Sequence, residues 1–415
     1  RIPGNFKRCQ CLSSLCEIFL CGATMRKLIL LLFLAISLMG QSAYYRLGYG
    51  DIYPTTDPLG SSLGHGVVAL VDSALVTTHN PAALSSSKRV HFGVSMGSEF
   101  RSIDNVASNN TRLEQIFVAL PVGKRFGMSL GAHAIADFAS AYASSLDLGS
   151  FSEQSSGGIW DFHLGLGYSL SPSMKLGLKL HQYQGQLRRE FTLQNDDFQE
   201  MYVIKGDISG KSIEGGIISN VSEKVSLGLT LNIPYETPTL SGRDSLSGSS
   251  DFAELDEEME AWPSTIKFGV IYHHSETINF MAGVAQQLFT ESGFADARVF
   301  ALPAGWETVP VASFQLAMHK LPADRTSRYW TNRTGWQAGV SIKNYYLSPA
   351  NDNMIYEYSL ISGANLDLRN GRSIFEISGE FGTRGGDESL PDELFGRMKF
   401  GIQINDTWFR KVKRR

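Results

Sequence analysis

The sequence predicts an all-β protein: a transmembrane antiparallel β-barrel of about 14 strands with an N-terminal plug, or hatch, inside the lumen. Three observations lead there. Long stretches alternate apolar and polar residues with a period of two. The connections between them alternate short and long. A secretory leader comes first, and no later apolar run is long enough to span a membrane as a helix.

The alternation is clearest over residues 160–180. Trp160, Phe162, Leu164, Leu166, Tyr168 and Leu170 alternate with Asp161, His163, Gly165, Gly167 and Ser169. Ser171-Pro172-Ser173 turns the chain, and Met174, Leu176, Leu178 and Leu180 then alternate with Lys175, Gly177, Lys179 and His181. A period of two gives a strand one apolar and one polar face. Each arm has the roughly 9–11 residues that cross a bilayer at a tilt, where soluble strands cluster at about 5–6. Strands are predicted at 88–102, 111–121, 125–140, 158–170, 173–190, 201–220, 223–236, 262–273, 276–291, 309–320, 328–346, 353–368, 372–384 and 393–406. Their even number suits a bacterial single-chain barrel.

Short connections fall near 122–124, 171–172, 220–223, 273–276 and 370–371, and long ones at 141–157, 237–261 and 292–308. Short turns on the periplasmic side and long loops outside belong to an outer membrane barrel. The bacterial outer membrane is therefore the expected location.

Residues 25–43 read as a signal peptide, with Arg26 and Lys27 before an apolar core at 28–36 and small residues to Ala43. Cys9, Cys11, Cys16 and Cys21 all precede Met25, and residues 1–24 are read as upstream translation outside the native protein. The chain is 43% hydrophobic and 11% aromatic, which excludes a disordered chain. A net charge of -4 leaves no footprint for nucleic acid. Residues 407–415 are read as a solvated basic tail.

Residues 44–87 do not alternate. Their glycine, small and moderately apolar residues suit a compact segment packed inside the barrel of residues 88–406. A barrel of intermediate size needs such a plug, since about eight strands are filled by their own side chains and about 16 leave a water channel. The run Gly64-x-Gly66-Val67-x-Ala69-Leu70-x-Asp72, followed by Asn80-Pro81-Ala82-Ala83-Leu84, resembles the N-terminal signature of the long-chain fatty acid transporter (FadL-type) family and its PorV-like relatives. The resemblance implies a fourteen-stranded outer membrane barrel with Asn80, Pro81 and Ala82 in its hatch. His65 and Thr77-Thr78-His79 depart from the pattern. The family's kinked third strand falls here on 125–140, where Gly131, Ala132 and Ala134 are compatible with a bend, since glycine weakens a strand locally. Packing against a crowded neighbour accounts for the same residues equally well.

Asp161 and His163 share the inward face, with Ser169 near in sequence, but no nucleophile elbow or triad spacing accompanies them. No enzyme is expected, and no cofactor or metal. The acidic run 251–260 lacks the pattern of a calcium loop and is read as solvated. Inward Lys175, Lys179, Glu376 and Glu380 are expected to pair across the lumen. The expected function is passive uptake of hydrophobic small molecules, fatty acid-like or hydrocarbon, gated by the hatch. The alternative is a PorV-type barrel that binds secreted or surface protein partners. Outer membrane lipids, a hydrophobic ligand and the barrel assembly machinery are the expected partners, with a protein partner on the alternative reading.

Overall fold

An open sheet edge in lipid leaves backbone groups unpaired at several kcal/mol each, so strands of this pattern have to close on themselves. The computed structural model describes residues 50–53, 57–103, 106–146, 149–195, 197–246, 253–255, 263–289, 306–349, 354–368, 372–385 and 392–406. The expected signal peptide, the basic tail and most of the acidic run 251–260 lie outside the described residues.

The chain starts with β1 (Asp51–Ile52), helix α1 (Pro58–Leu63) and two 3-10 turns (Gly64–Ala69 and Pro81–Ser86). Then come β2 (Val90–Ile103), β3 (Val106–Val122), β4 (Phe126–Asp137), β5 (Ser140–Leu146), β6 (Gly149–Ser169), β7 (Met174–Gln194), β8 (Gln199–Ser222) and β9 (Val225–Leu246). They are followed by β10 (Ala253–Leu255), β11 (Ser264–His273), β12 (Ile278–Leu288), β13 (Trp306–Thr308), β14 (Val311–Lys320) and the helical turn α2 (Trp330–Arg333). The last elements are β15 (Thr334–Asn344), β16 (Leu347–Pro349), β17 (Tyr356–Asp367), β18 (Ser373–Gly385) and β19 (Glu393–Asp406).

Antiparallel pairing runs β2-β3-β4-β6-β7-β8-β9-β11-β12-β14-β15-β17-β18-β19 and returns to β2, a closed barrel of 14 strands. β5 continues the line of β4 along β6, β10 pairs antiparallel with the far end of β9, and β13 pairs with β16 alone. Among the described residues no helix is long and apolar enough to cross a membrane. The strands do the crossing, with a surface the reverse of a soluble protein's. Phe162 and Leu166 are 46% and 48% exposed, whereas Asp161 and His163 on the opposite face of the same strand are 1% and 2% exposed.

The closing ladder of β19 with β2 is tied by buried ion pairs on its inner face. Arg397 Nε lies 2.7 Å from Glu99 Oε1, Arg101 Nη1 lies 3.0 Å from Glu393 Oε1, and Arg397 Nη1 lies 2.9 Å from Glu357 Oε1. The expectation of pairs across the lumen is corrected for Lys179 and Glu380. Lys179 Nζ is 3.5 Å from Glu214 on the neighbouring β8, and Glu380 Oε2 is 3.4 Å from Arg397 on the neighbouring β19. Adjacent strands bring inward side chains within bonding reach, and the lumen does not.

The long connections are also corrected. Residues 141–146 and 149–157 belong to the β5–β6 hairpin, paired from Ser140↔Ser155 to Leu146↔Gly149. β9 runs on through Leu246, opposite Tyr202. At about 3.3 Å per residue the 21 residues of β6 reach about 70 Å, far beyond the roughly 25 Å apolar band of such barrels. The hairpins therefore stand out from the membrane on the side away from the short turns. Residues 328–333, expected in a strand, belong instead to the β14–β15 connection, with α2 in it.

Residues 57–86 contact the wall in three arcs. The second 3-10 turn touches β3, β4, β6, β7 and β8; the first touches β8, β9, β11, β12 and β14; α1 touches β14, β15, β17, β18 and β19. Missing side chains on the wall make room for it. A Cβ at Gly177 would lie 2.2 Å from the Ala82 amide nitrogen, and one at Gly216 would lie 2.2 Å from Asn80 Oδ1.

Candidate functional site

The N-terminal signature residues gather on the inner wall. Gly64 caps α1 with φ +60 and ψ -151, a region open to glycine alone. A side chain there would also strike Gln315, whose Oε1 accepts the His65 amide at 2.6 Å. Gly66 lies against Met281 of β12. Asp72 Oδ1 accepts the Ala74 amide at 2.8 Å, and its Oδ2 accepts Arg325 Nη2 at 2.7 Å, which joins this segment to the β14–β15 connection. Asn80 caps the second turn: its Oδ1 accepts the Ala82 amide at 3.0 Å, and its Nδ2 donates to the Val68 carbonyl at 2.7 Å and the Ile217 carbonyl at 3.2 Å. Pro81 is the first residue of that turn, where its missing N–H costs nothing. Ala82 packs with Ala83 and Ile218.

The third barrel strand is interrupted above them. β4 pairs with β3 only from Val122↔Phe126 to Gln115↔His133. Beyond that, β3 keeps β2, while the edge of β4 takes β1 instead, through Ile52↔Ala136 and Asp51↔Asp137. The Tyr53 amide donates to the Ile135 carbonyl at 2.9 Å, and Asn110 Nδ2 reaches Asp137 Oδ2 at 2.6 Å. On the other edge the β4–β6 register slips between Ala134 and Ala136, and the strand breaks before resuming as β5. The Phe138 amide donates to the carbonyl of Gly157, whose φ of +111 favours glycine. Gly131 and Ala132 stay in regular register, paired with His163 and Phe162, and Ala134 pairs with Trp160 at the slip. The slip turns Ala136 into an inner apolar cluster with Ile135, Phe138 and Ile159. Tyr345 and Tyr346 belong to the same cluster, and both hydroxyls donate to the Gly50 carbonyl, at 2.9 and 3.1 Å.

Between this cluster and the N-terminal turns lies a polar cavity of about 100 Å³, lined by Thr78, His79, His133, Asp161, Lys179, His181, Glu214 and Lys267 among others. Lys179 Nζ donates to the Thr78 carbonyl at 2.7 Å, and Gln115 Nε2 to Thr78 Oγ1 at 2.7 Å. Ser169 does not join Asp161 and His163. It sits at the β6–β7 turn, six residues from His163, where its hydroxyl donates to the Ser171 carbonyl at 3.2 Å. The gathering of His133 and His181 around Asp161 went unread in the sequence. A turn at 171–173 sets His163 opposite His181, so the hairpin register held that signal.

Apolar residues outside, buried polar residues inside and an even, closed antiparallel ring define a bacterial outer membrane β-barrel. The BamG family model matches residues 25–414, and the chain belongs to the BamG family. Its fold is similar to that of a FadL homologue from Pseudomonas aeruginosa, at 9% identity over 85% of this chain and 98% of that one, with a TM-score of 0.55. It is likewise similar to the toluene transporter TodX of Pseudomonas putida (13% identity, 90% and 99% covered, TM-score 0.57). The toluene transporter TbuX of Ralstonia pickettii is a third such structure (11% identity, 84% and 98% covered, TM-score 0.58). These likenesses give the chain a FadL-type fold. A search of curated proteins returned no match.

Proposed function

We propose that the protein is an outer membrane channel for passive uptake of hydrophobic small molecules, fatty acid-like or hydrocarbon, gated by residues 44–87 acting as a hatch. The observation that carries this reading is the interrupted third strand beside the inner apolar cluster. A molecule dissolved in the outer leaflet would enter at this break and meet Ile135, Phe138 and Ile159. TodX and TbuX, described as toluene transporters, share the fold and support a hydrophobic cargo. The polar cavity of about 100 Å³ is smaller than the roughly 300–1,000 Å³ of ordinary ligand pockets. Passage therefore requires β1 and the neighbouring turns to move.

Ile52→Cys with Ala136→Cys tests this. The two residues are direct partners on adjacent strands, within reach of a disulfide. Uptake of labelled laurate and toluene into vesicles should fall on oxidation and return on reduction. Equal uptake in both states would remove β1 as a gate, and no uptake by the unmodified protein would remove the channel.

A second reading is a barrel that binds protein partners, as a component working with the barrel assembly machinery. Membership of the BamG family favours it. So do Tyr329 and Trp330, 71% and 63% exposed on the connection at the short-turn end. A barrel assembly subunit that co-purifies in detergent and is lost in Tyr329→Ala/Trp330→Ala, together with no uptake, would decide for it.

A further inference from the structure

The inner wall of β4, β6 and β7 brings three imidazoles round one carboxylate. His133 is paired with Asp161 across the β4–β6 ladder, and His163 with His181 across the β6–β7 ladder. Strand alternation turns all four inward. Asp161 Oδ2 lies 2.7 Å from His181 Nδ1, 3.4 Å from His133 Nε2 and 3.8 Å from His163 Nδ1. One donor atom each from His133, Asp161 and His163 lie within 4.8 Å of one another. Both ring nitrogens of His163, Nδ1 of His133 and Oδ1 of Asp161 are buried without a hydrogen-bond partner. Polar atoms this deep are nearly always satisfied by protein, by water or by an ion. Gly131 keeps the space open, since a Cβ there would lie 2.8 Å from His163 Nε2.

We propose that this cluster binds a divalent transition metal ion, zinc by its donor set, with His133, Asp161 and His163 as ligands. Imidazole and carboxylate donors suit zinc at bonds of about 2.0–2.2 Å, which sets neighbouring donors about 3.4 Å apart in a tetrahedron. The 3.4 and 3.8 Å separations ask for small side-chain turns only. His181 holds the carboxylate through Nδ1, and its Nε2 lies 3.5 Å from Glu214, a carboxylate–imidazole–carboxylate chain of the kind that orients metal ligands. The adjoining cavity leaves a coordination position for water. Lys179 does not oppose the ion strongly, because Glu214 and the Thr78 carbonyl engage it.

The position gives the ion a task. His133 makes the last rung of the β3–β4 ladder, opposite Gln115, and Gln115 also holds Thr78. An ion joining His133 to β6 fastens the third strand at the foot of its interruption. This site stands whether or not a small molecule passes through the barrel.

The test uses the full chain without a histidine tag, purified in detergent, stripped with chelator and then dialysed against Zn²⁺ or Co²⁺. One ion per folded chain is expected, and Co²⁺ should give the intense visible bands of a four-coordinate site. His163→Ala and Asp161→Asn should abolish both, and His181→Gln should weaken binding about 10–100-fold. His274→Ala, at an exposed turn, should change neither. Folding is checked by heat-modifiable gel mobility; if His163→Ala fails it, His133→Gln takes its place. No ion on the folded wild-type protein, or equal binding by the folded Asp161→Asn variant, overturns the site.

Discussion

The side-chain amide of Asn80 donates to the backbone carbonyl of Ile217 at 3.2 Å, joining the second 3-10 turn to β8 near its C-terminal end. The same carboxamide serves Val68 and Ala82, so one buried side chain caps a turn, ties two turns together and fastens them to the wall. Asn80→Ala removes all three bonds, at about 1 kcal/mol each. Hydrogen exchange over residues 64–86 should rise while the barrel strands keep their protection. Unchanged exchange there would show that the bonds add nothing to the seating of the segment.

Gly177 offers a steric test of the same contact. Valine at 177 would drive a side chain into the Pro81–Ala82 backbone. Gly215→Val is the control, since a Cβ there meets nothing within 4 Å. Gly177→Val should raise single-channel conductance and the permeability of cells to large antibiotics, with the barrel still folded. Gly215→Val should match the wild type. Equal conductance in all three would exclude a plugging role for this segment.

Arg397 lies between Glu99, Glu357 and Glu380 at the barrel closure. Arg397→Leu leaves two buried carboxylates, Glu99 and Glu357, and the half-buried Glu380 short of a cation, and breaking one side of a buried pair costs about 3–5 kcal/mol. The temperature at which the compact band converts to the unfolded band on gels should fall. Restoring charge balance with Arg397→Leu/Glu99→Gln should recover part of the loss.

Asp57 gives the segment a pH dependence. Burial pushes its carboxyl up, but the charge and hydrogen bond of His79 and the Gly60 amide together hold it below its ordinary value. A depressed folded pKa means the carboxylate stabilises the folded state above the ordinary Asp value of about 3.9. That contribution is lost as pH falls through the lower folded value. Exchange over residues 57–69, taken relative to the intrinsic rate at each pH, should therefore accelerate in acid below about pH 4, and Asp57→Asn should flatten the dependence. A parallel acceleration in Asp57→Asn would assign the effect to another group.

Much of the wall was legible because its signal is local. Phe162, Leu164 and Leu166 against Asp161, His163 and Gly165 report two different solvents, and that difference needs no tertiary information. The strand extensions at 140–146, 149–157 and 237–246 were read as loops because the alternation of residue types in the sequence fades there. The inward slip of Ala136 was unreadable, since a bulge changes face without any mark in the composition. Gly177 and Gly216 sit within unbroken strands with no visible purpose until the Asn80–Ala82 turn is seen lying against them.

The sequence by itself determined which side chains meet lipid, how many times the chain crosses and which segment does not cross. Those follow from a period of two and from turn chemistry, both set within a few residues. Only the tertiary structure decided that β1 takes the edge β3 gives up, and that His133, His163 and His181 surround Asp161. Such relations depend on register between strands and on contacts between distant residues, which a linear pattern does not encode.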